Sequence, residues 1–389
     1  MAKDNIDLRG ARILVVDDMP ANLDVLCELL ETEGYRISLA PNGEIALKIA
    51  TRAETMPDLI LLDVMMPGMN GFEVCQSLKR NRATEEIPVI FITAEDLTES
   101  VVKGFQVGGI DYISKPFRDE EVLVRVRNAL LTKHLFDQNR DYQEKMEREL
   151  QTAHQLQMGL MPGEKPLLEG FDIAGRCIPA EKVGGDLFQY FRLPQGGLAV
   201  SMADVTGHAM EAAIPVVLFN GMLETQMEMG HSLEVLFGKL NHSVNRILDS
   251  RTLVCFEMAQ IDPASRCMRL ANAGCPYPFH FCAESGDVNE LEANAYPLGV
   301  SPEIDCVVLE RSLQKGDRVV FCSDGLLEAA DAEGTLFGFE RAARVIRQGC
   351  SEGMGAEELV EGIVEEVRSF AGNAPQMDDQ TVVVIAVNE

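Results

Sequence analysis

Basic residues are scarce in this chain. Across 389 residues, 34 lysines and arginines stand against 62 aspartates and glutamates, a formal net charge of −28. A surface this negative repels phosphate backbones and anionic headgroups, which argues against nucleic acid or an acidic membrane as a direct partner. No window approaches the roughly 18 consecutive apolar residues of a membrane span. The opening stretch MAKDNIDLRG has no apolar signal core. The ten cysteines form no Cys-x-x-Cys pair and no His/Cys ligand spacing, so they read as free thiols in a reducing cytoplasm. Internal repeats and low-complexity tracts are absent as well. These absences leave a cytoplasmic globular protein with no membrane and no nucleic-acid role.

The length suggests two or three domains at roughly 100–200 residues each. The charge is unevenly laid out: residues 1–120 carry 21 acids and 12 bases, 121–165 carry 7 of each, and 166–389 carry 34 and 15. A neutral segment thus separates two acidic ones. Before residue 119, the short apolar runs RILVV (12–16), DLILL (58–62), PVIFI (88–92) and DYIS (111–114) alternate with helical patterns near 20–33, 43–53, 71–80 and 98–107. That alternation predicts an α/β domain with a doubly wound parallel sheet covered on both faces. From Asp119 to Leu160 the pattern is helical, with no Pro or Gly before Gly159. Leu131, Leu135, Tyr142, Met146, Leu150, Ala153, Leu156 and Leu160 follow steps of three, four or seven, which suits a coiled-coil seam or one amphipathic helix lying on its own domain. Beyond residue 166, strand-like runs gather with a few long helices, the texture of an α+β sandwich. The expected organisation is a tail (1–11), a first domain (12–118), a helical linker (119–165) and a second domain (166–389).

In the first domain, Asp17 and Asp18 follow the first strand, Asp63 ends the third, Thr93 the fourth, and Lys115 follows the fifth. Ligands of open parallel sheets bind at the carboxyl ends of the strands, so folding gathers three carboxylates, a hydroxyl and an ammonium. Clustered carboxylates raise one another's pKa unless a cation neutralises them, and oxygen-only ligands suit Mg²⁺. One carboxylate is then free to act as a nucleophile toward phosphorus, with lysine and threonine holding the phosphate oxygens. ILVVDD (13–18), LLDVMMPGMNG (61–71), ITA (92–94) and DYISKPF (111–117) resemble the receiver domain of two-component response regulators, a five-stranded flavodoxin-like fold. The resemblance implies that Asp63 accepts a phosphoryl group from a sensor histidine kinase or phosphotransfer protein. It places Asp17 and Asp18 with Asp63 at the Mg²⁺, and makes Thr93, Tyr112 and Lys115 the switch positions.

The second domain carries VGGD (183–186), ADVTGH (203–208), SDGLLE (323–328) and MDDQT (377–381), each with an aspartate at or beside a strand end. Singly, each reads more readily as a turn than as a ligand, because Asp-Gly is a common hairpin signal. Convergent carboxylates without a His or Cys cluster favour hard divalent cations, two of which can clamp a phosphate. Together and in order, the motifs resemble the metal-dependent Ser/Thr phosphatases of the SpoIIE/RsbU-like branch, and ELQTAHQLQMGLMP (149–162) looks like that branch's entry helix. The resemblance implies a β-sandwich flanked by helices that uses two Mg²⁺ or Mn²⁺ ions. Asp204 and the backbone carbonyl of Val205 would bridge them, Asp324 and Asp378 would complete one ion's shell, and Asp186 would serve the other. Gly185 and Asp379 are candidate supports. His208 either approaches the site or is an ordinary turn residue. Ala203, Gln189 and Cys275 stand where the family usually has Gly, Asp and His.

The order receiver, neutral helix, phosphatase implies a phosphatase gated by phosphorylation of Asp63, with the helix acting on the segment near 209–229. The family resemblance implies a phosphorylated STAS-type anti-sigma factor antagonist as substrate in partner-switching regulation, and the coiled-coil-like stripe of the linker helix suits a homodimer through it. The alternative is a phosphatase-fold adaptor, weak or inactive in turnover, that binds a sigma-factor regulator under receiver control.

Overall fold

The computed structural model describes residues 6–94, 98–194, 196–207, 210–249 and 251–388. The chain packs as two units, Met1–Met146 and Glu147–Glu389.

The first unit runs β1 (Arg12–Val16), α1 (Pro20–Thr32), β2 (Arg36–Ala40), α2 (Gly43–Ala50), β3 (Leu59–Asp63), α3 (Gly71–Lys79), β4 (Val89–Ala94), α4 (Thr98–Gln106), β5 (Asp111–Lys115) and α5 (Asp119–Met158). The sheet has order β2-β1-β3-β4-β5 with parallel pairing throughout. Its central strands are apolar on both faces because helices cover both sides: Leu14, Val16, Ile60 and Leu62 enter one core, Ile13, Val15, Leu59 and Leu61 the other. β2 lies at the edge with only Ala40 fully buried, which is why it lacked the continuous apolar run that marks its neighbours.

Helix α5 lies on its own domain in its first turns. Val122, Val126, Ala129 and Leu130, at helical spacing, bury into the first unit's core. Beyond them the stripe turns outward, with Leu135, Tyr142, Met146 and Leu156 between 49% and 70% exposed.

The second unit continues β6 (Phe171–Ile178), β7 (Asp186–Arg192), β8 (Leu198–Val205), α6 (Met210–Glu228), α7 (Leu233–Ile247), β9 (Val254–Asp262), β10 (Cys267–Ala273), β11 (Phe279–Cys282), β12 (Asp287–Glu290), β13 (Val308–Ser312), β14 (Arg318–Cys322), α8 (Asp324–Leu327), α9 (Gly338–Ser351), α10 (Ala356–Ala371) and β15 (Gln380–Val387). Two antiparallel sheets, β13-β10-β9-β8-β7 and β12-β11-β14-β15-β6, stack face to face. Phe188, Val200, Ile261, Val319, Phe321 and Ile385 fill the space between them. The outer face of one sheet receives α6 and α7, and that of the other receives α9 and α10. On α10, Leu359, Val360, Ile363, Val364 and Val367 recur at helical spacing, and all are buried. Each such side chain contributes roughly 1.5–3 kcal/mol of burial. The central strands β8, β9, β14 and β15 put side chains of one face between the sheets and of the other into a helix-covered core, while the edge strands β12 and β13 are largely exposed. Among the buried polar residues of this unit, Asp186 and Asp379 lie where strand ends open onto the aspartates.

Candidate functional site

Two acidic centres form at strand ends. In the first unit, Asp17 is fully buried. Its Oδ1 accepts from the Met19 amide at 2.8 Å, and Asn22 Nδ2 donates to both carboxylate oxygens at 3.0 and 2.9 Å. Lys115 Nζ lies 2.8 Å from Asp17 Oδ2 and 3.1 Å from Asp63 Oδ2. Asp18 is exposed, and one ligand oxygen from each of Asp17, Asp18 and Asp63 falls within 4.8 Å of the others. Burial raises the Asp63 pKa, and the adjacent Lys115 ammonium opposes the rise. Burial works to lower the Lys115 pKa, but its contacts with Asp17 and Asp63 outweigh that and hold it up. Thr93, nearly buried at the end of β4, donates its hydroxyl to the Ala94 carbonyl at 3.3 Å. Tyr112 is half-buried on β5, with the Arg125 guanidinium 5.3 Å from its ring centroid and itself held by Asp111 and Glu121. The three carboxylates and Lys115 thus meet as expected. Asn22, the donor that orients Asp17, was missed; its place five residues after Asp17, in the first turn of a helix, was the available signal.

In the second unit, β7 and β8 pair so that Asp186 stands opposite Asp204. Asp186 is buried, and Thr381 at the start of β15 donates its hydroxyl to Asp186 Oδ2 at 2.6 Å. Asp324 begins α8, directly after β14, and its Oδ1 accepts from the Gly325 amide at 2.8 Å. Asp378 is exposed, while the neighbouring Asp379 is buried. Asp379 holds the glycine loop in place: its Oδ2 accepts from the amides of Gly185 at 2.6 Å and Asp186 at 3.1 Å, and its Oδ1 from Ala180 at 2.8 Å. The glycines permit this approach. A Cβ on Gly184 would stand 1.9 Å from Asp379 Oδ2, and one on Gly185 would stand 2.6 Å from the Val205 carbonyl oxygen and 3.2 Å from Asp204 Oδ1.

The electrostatics of this centre are those of crowded, buried acids. Burial first, then Asp324, Asp378 and Asp379, pushes Asp204 up to about 7. Burial and then Asp204 raise Asp186 well above the carboxylate range, and burial raises Asp324. Among the described residues, no three of these aspartates bring ligand atoms within 4.8 Å of one another, as the first centre does.

His208 lies outside the described residues. Of the three departures from the family pattern, Ala203 is buried in the core under α6 and α7, between Leu187 and Phe256. Gln189 donates to the Leu160 carbonyl and, at 3.1 Å, to Asn220 Oδ1 on α6. Cys275 is buried, with its amide donating to Asn272 Oδ1 at 2.9 Å and burial raising its thiol well above the ordinary range. These contacts lie within the surrounding protein rather than among the four aspartates. Sequence reasoning missed Thr381, although it closes the MDDQT motif, and Glu257, an acid inside the apolar run LVCFEMAQI. Glu257 is fully buried on β9, with neither carboxylate oxygen hydrogen-bonded within the chain.

Residues 194–388 match the family described as Stage II sporulation protein E (SpoIIE), half of the chain. The chain belongs to the SpoIIE family. Residues 13–127 match the response regulator receiver domain. The chain therefore joins an N-terminal receiver to a C-terminal SpoIIE/RsbU-like phosphatase domain of the PP2C type. Response regulator PleD of Caulobacter vibrioides is 41% identical over 169 residues, covering 43% of this chain and 34% of PleD. The match thus spans about a third of that relative's length. The SiaA-PP2C domain of Pseudomonas aeruginosa superposes with a TM-score of 0.55 at 22% identity, covering 63% of this chain and 98% of that one. The RsbU and RsbW domains of a Mycobacterium tuberculosis protein give 0.50 at 22% identity, covering 57% and 61%. At these identities the two structures support the fold. Among the described residues, no helix is long and apolar enough to cross a membrane.

Proposed function

We propose that this SpoIIE-family protein is a metal-dependent phosphoserine/phosphothreonine protein phosphatase whose activity is set by phosphorylation of Asp63. One observation carries the reading. β7 and β8 bring Asp186 against Asp204, where burial first and then Asp324, Asp378 and Asp379 push Asp204 up to about 7. Carboxylates held this way are poorly ionised on their own and suit divalent cations. Asp186, Asp204, the Val205 carbonyl, Asp324 and Asp378 would hold two Mg²⁺ or Mn²⁺ ions, and Gly185 keeps the approach to Val205 and Asp204 clear. When bound, such ions neutralise the carboxylates and supply the Lewis acidity for phosphomonoester hydrolysis. Asp379 and Thr381 orient the loop and the Asp186 carboxylate.

In the receiver, Asp17, Asp18 and Asp63 would hold one Mg²⁺, and Asp63 would attack the phosphoryl group delivered by a sensor histidine kinase or phosphotransfer protein. Lys115 opposes the burial that raises the Asp63 pKa and is placed to hold a phosphoryl oxygen. Thr93 and Tyr112 occupy the switch positions. The exposed stripe Leu135, Tyr142, Met146 and Leu156 on α5 supports a homodimer through this helix. A phosphorylated STAS-type anti-sigma factor antagonist is the substrate class favoured by the family.

The test is phosphate release from such a phosphoprotein by the full chain, with Mn²⁺ or a chelator and with or without acetyl phosphate. The expected result is metal-dependent release that acetyl phosphate changes in the parent but not in Asp63→Asn. Absence of metal-dependent turnover on the phosphoprotein and on p-nitrophenyl phosphate would leave only the adaptor reading.

A further inference from the structure

Asp378 ends a loop that runs from the C-terminus of α10 toward β15. Gly372 stops the helix with φ 61°, and its amide donates to the Arg368 carbonyl at 3.0 Å. Gln376 then fixes the loop, because its Nε2 donates at 2.8 Å to the carbonyls of both Ile178 and Asp378. Between this loop, α10 and α8 lies a cavity of about 300 Å³.

The cavity adjoins the phosphatase centre. Asp378 lines it, and so does Gly325, the residue after Asp324. It therefore begins beside two of the carboxylates proposed to hold metal. Ile178, Ala329, Ala330, Val367, Ala371 and Pro375 give it apolar walls. The three alanines are only half-buried, so their short side chains leave the space open. Met377 stands on its lining as well and is 82% exposed. An unbranched thioether in water contributes little to folding, but it adapts readily to the shape of an arriving group. The volume is at the low end for a ligand site, room for one side chain rather than a cofactor. Of the charged residues lining it, Arg368 is paired with Glu365 at 3.1 Å, and Glu328 and Asp378 oppose it. An anion entering the cavity would meet those carboxylates, and a cation would leave water for largely apolar walls.

We propose that this cavity takes an apolar side chain of the phosphoprotein substrate, from a residue within two positions of the phosphorylated serine or threonine. Ala371 sets its depth and Met377 closes over the occupant. This rests on the proposed function and adds to it a determinant of which phosphorylated residue is chosen. Consecutive Cα atoms are about 3.8 Å apart, so a near neighbour of a residue held at the metals can reach a cavity that Asp378 borders.

The test uses the full chain with Mn²⁺ and short phosphoserine peptides carrying Leu, Asp or Lys in turn at each of the two positions on either side. The parent should prefer Leu over both Asp and Lys at one position by about 10-fold or more in kcat/KM, a scale that a hydrophobic pocket supplies. Ala371→Phe, which fills the cavity, should bring that ratio to within about 2-fold of unity, chiefly by raising KM for the Leu peptide. Met377→Ser should lower the ratio by about 3-fold, and it decides the matter if Ala371→Phe does not fold. p-Nitrophenyl phosphate has no flanking residue and reports the state of the metal centre in the same preparations. With that compound hydrolysed by the parent, the proposal alone is overturned by three results: no peptide turnover, no preference for Leu at any position, or a preference that survives the deciding variant. A parent that hydrolyses neither p-nitrophenyl phosphate nor any peptide overturns the proposed function and this proposal with it.

Discussion

The receiver and the phosphatase domain each gather aspartates at strand ends, yet they manage the resulting charge differently. In the receiver, Lys115 reaches across from β5 to contact both Asp17 and Asp63, and Asp18 stays in solvent. The burial of Asp63 is opposed by a cation that the chain itself supplies. In the phosphatase domain, burial and neighbouring carboxylates act in the same direction on Asp204 and Asp186. Compensation there has to come from outside the chain. A centre with its own ammonium is suited to take up and lose a phosphoryl group as a switch. A centre without that balance is of the kind that suits divalent cations.

The widest separation between the two centres is expected from Asp204→Ala. It should lower Mn²⁺-dependent phosphatase turnover by at least about 100-fold, more than the loss of a supporting residue, and leave phosphoryl uptake from acetyl phosphate at Asp63 unchanged. Radiolabel incorporation and phosphate release on the same preparation measure both. Next comes Gly185→Ala, whose Cβ would crowd the Val205 carbonyl at 2.6 Å, a backbone atom with little room to yield. Mn²⁺ affinity by calorimetry should fall by roughly 10- to 100-fold. Parent-like affinity would show that the cradle around Val205 is not a ligand site.

A smaller effect lies in pH dependence. Asp204, pushed up to about 7, is largely protonated below that pH in the metal-free protein, and the metal requires its ionised form. Mn²⁺ affinity should therefore fall as pH drops from 7.5 to 5.5, by up to about tenfold per pH unit for each proton displaced, with proton release detectable from the buffer dependence of the binding heat. Mg²⁺ binding by the receiver, where Lys115 opposes the effect of burial, should change less over the same range. Equal slopes would erase the contrast between the two centres.

The smallest effect concerns Glu257. Burial raises its carboxyl well above the ordinary value, so it is protonated when folded and ionised when unfolded at neutral pH. Folding then takes up a proton, and stability falls as pH rises above about 4.3, the ordinary glutamate pKa. Glu257→Gln removes that penalty. Its melting temperature should exceed the parent's by about 2 °C or more at pH 8, with the gap closing toward pH 4.5.

Much of this molecule was legible because its chemistry sits in short stretches beside apolar strands. Asp17, Asp63 and Lys115 were readable, since an acid or lysine that ends a buried parallel strand must emerge at the carboxyl edge of the sheet. The edge strand β2 was not, because its half-exposed residues break the apolar run. In MDDQT the family resemblance gave Asp378 a metal and Asp379 a supporting place, but only the fold shows one exposed and the other holding three backbone amides. The bond from Gln157 on α5 to Gly184 was equally opaque, because the two lie 27 residues apart and the contact is to backbone. Hydrogen bonds to main-chain atoms leave no complementary residue type for a reader of sequence to find.

The carboxylate of Asp379 spans 194 positions to reach Gly185, and β15 pairs along its whole length with β6, the first strand of the sandwich. The loop that leads into Asp186 is thus shaped by a residue that leaves the ribosome 194 positions later. During synthesis the receiver is complete while that loop still lacks its anchor, and domains fold in order from the N-terminus. A growing chain therefore completes its receiver well before the loop that carries Asp186 is anchored.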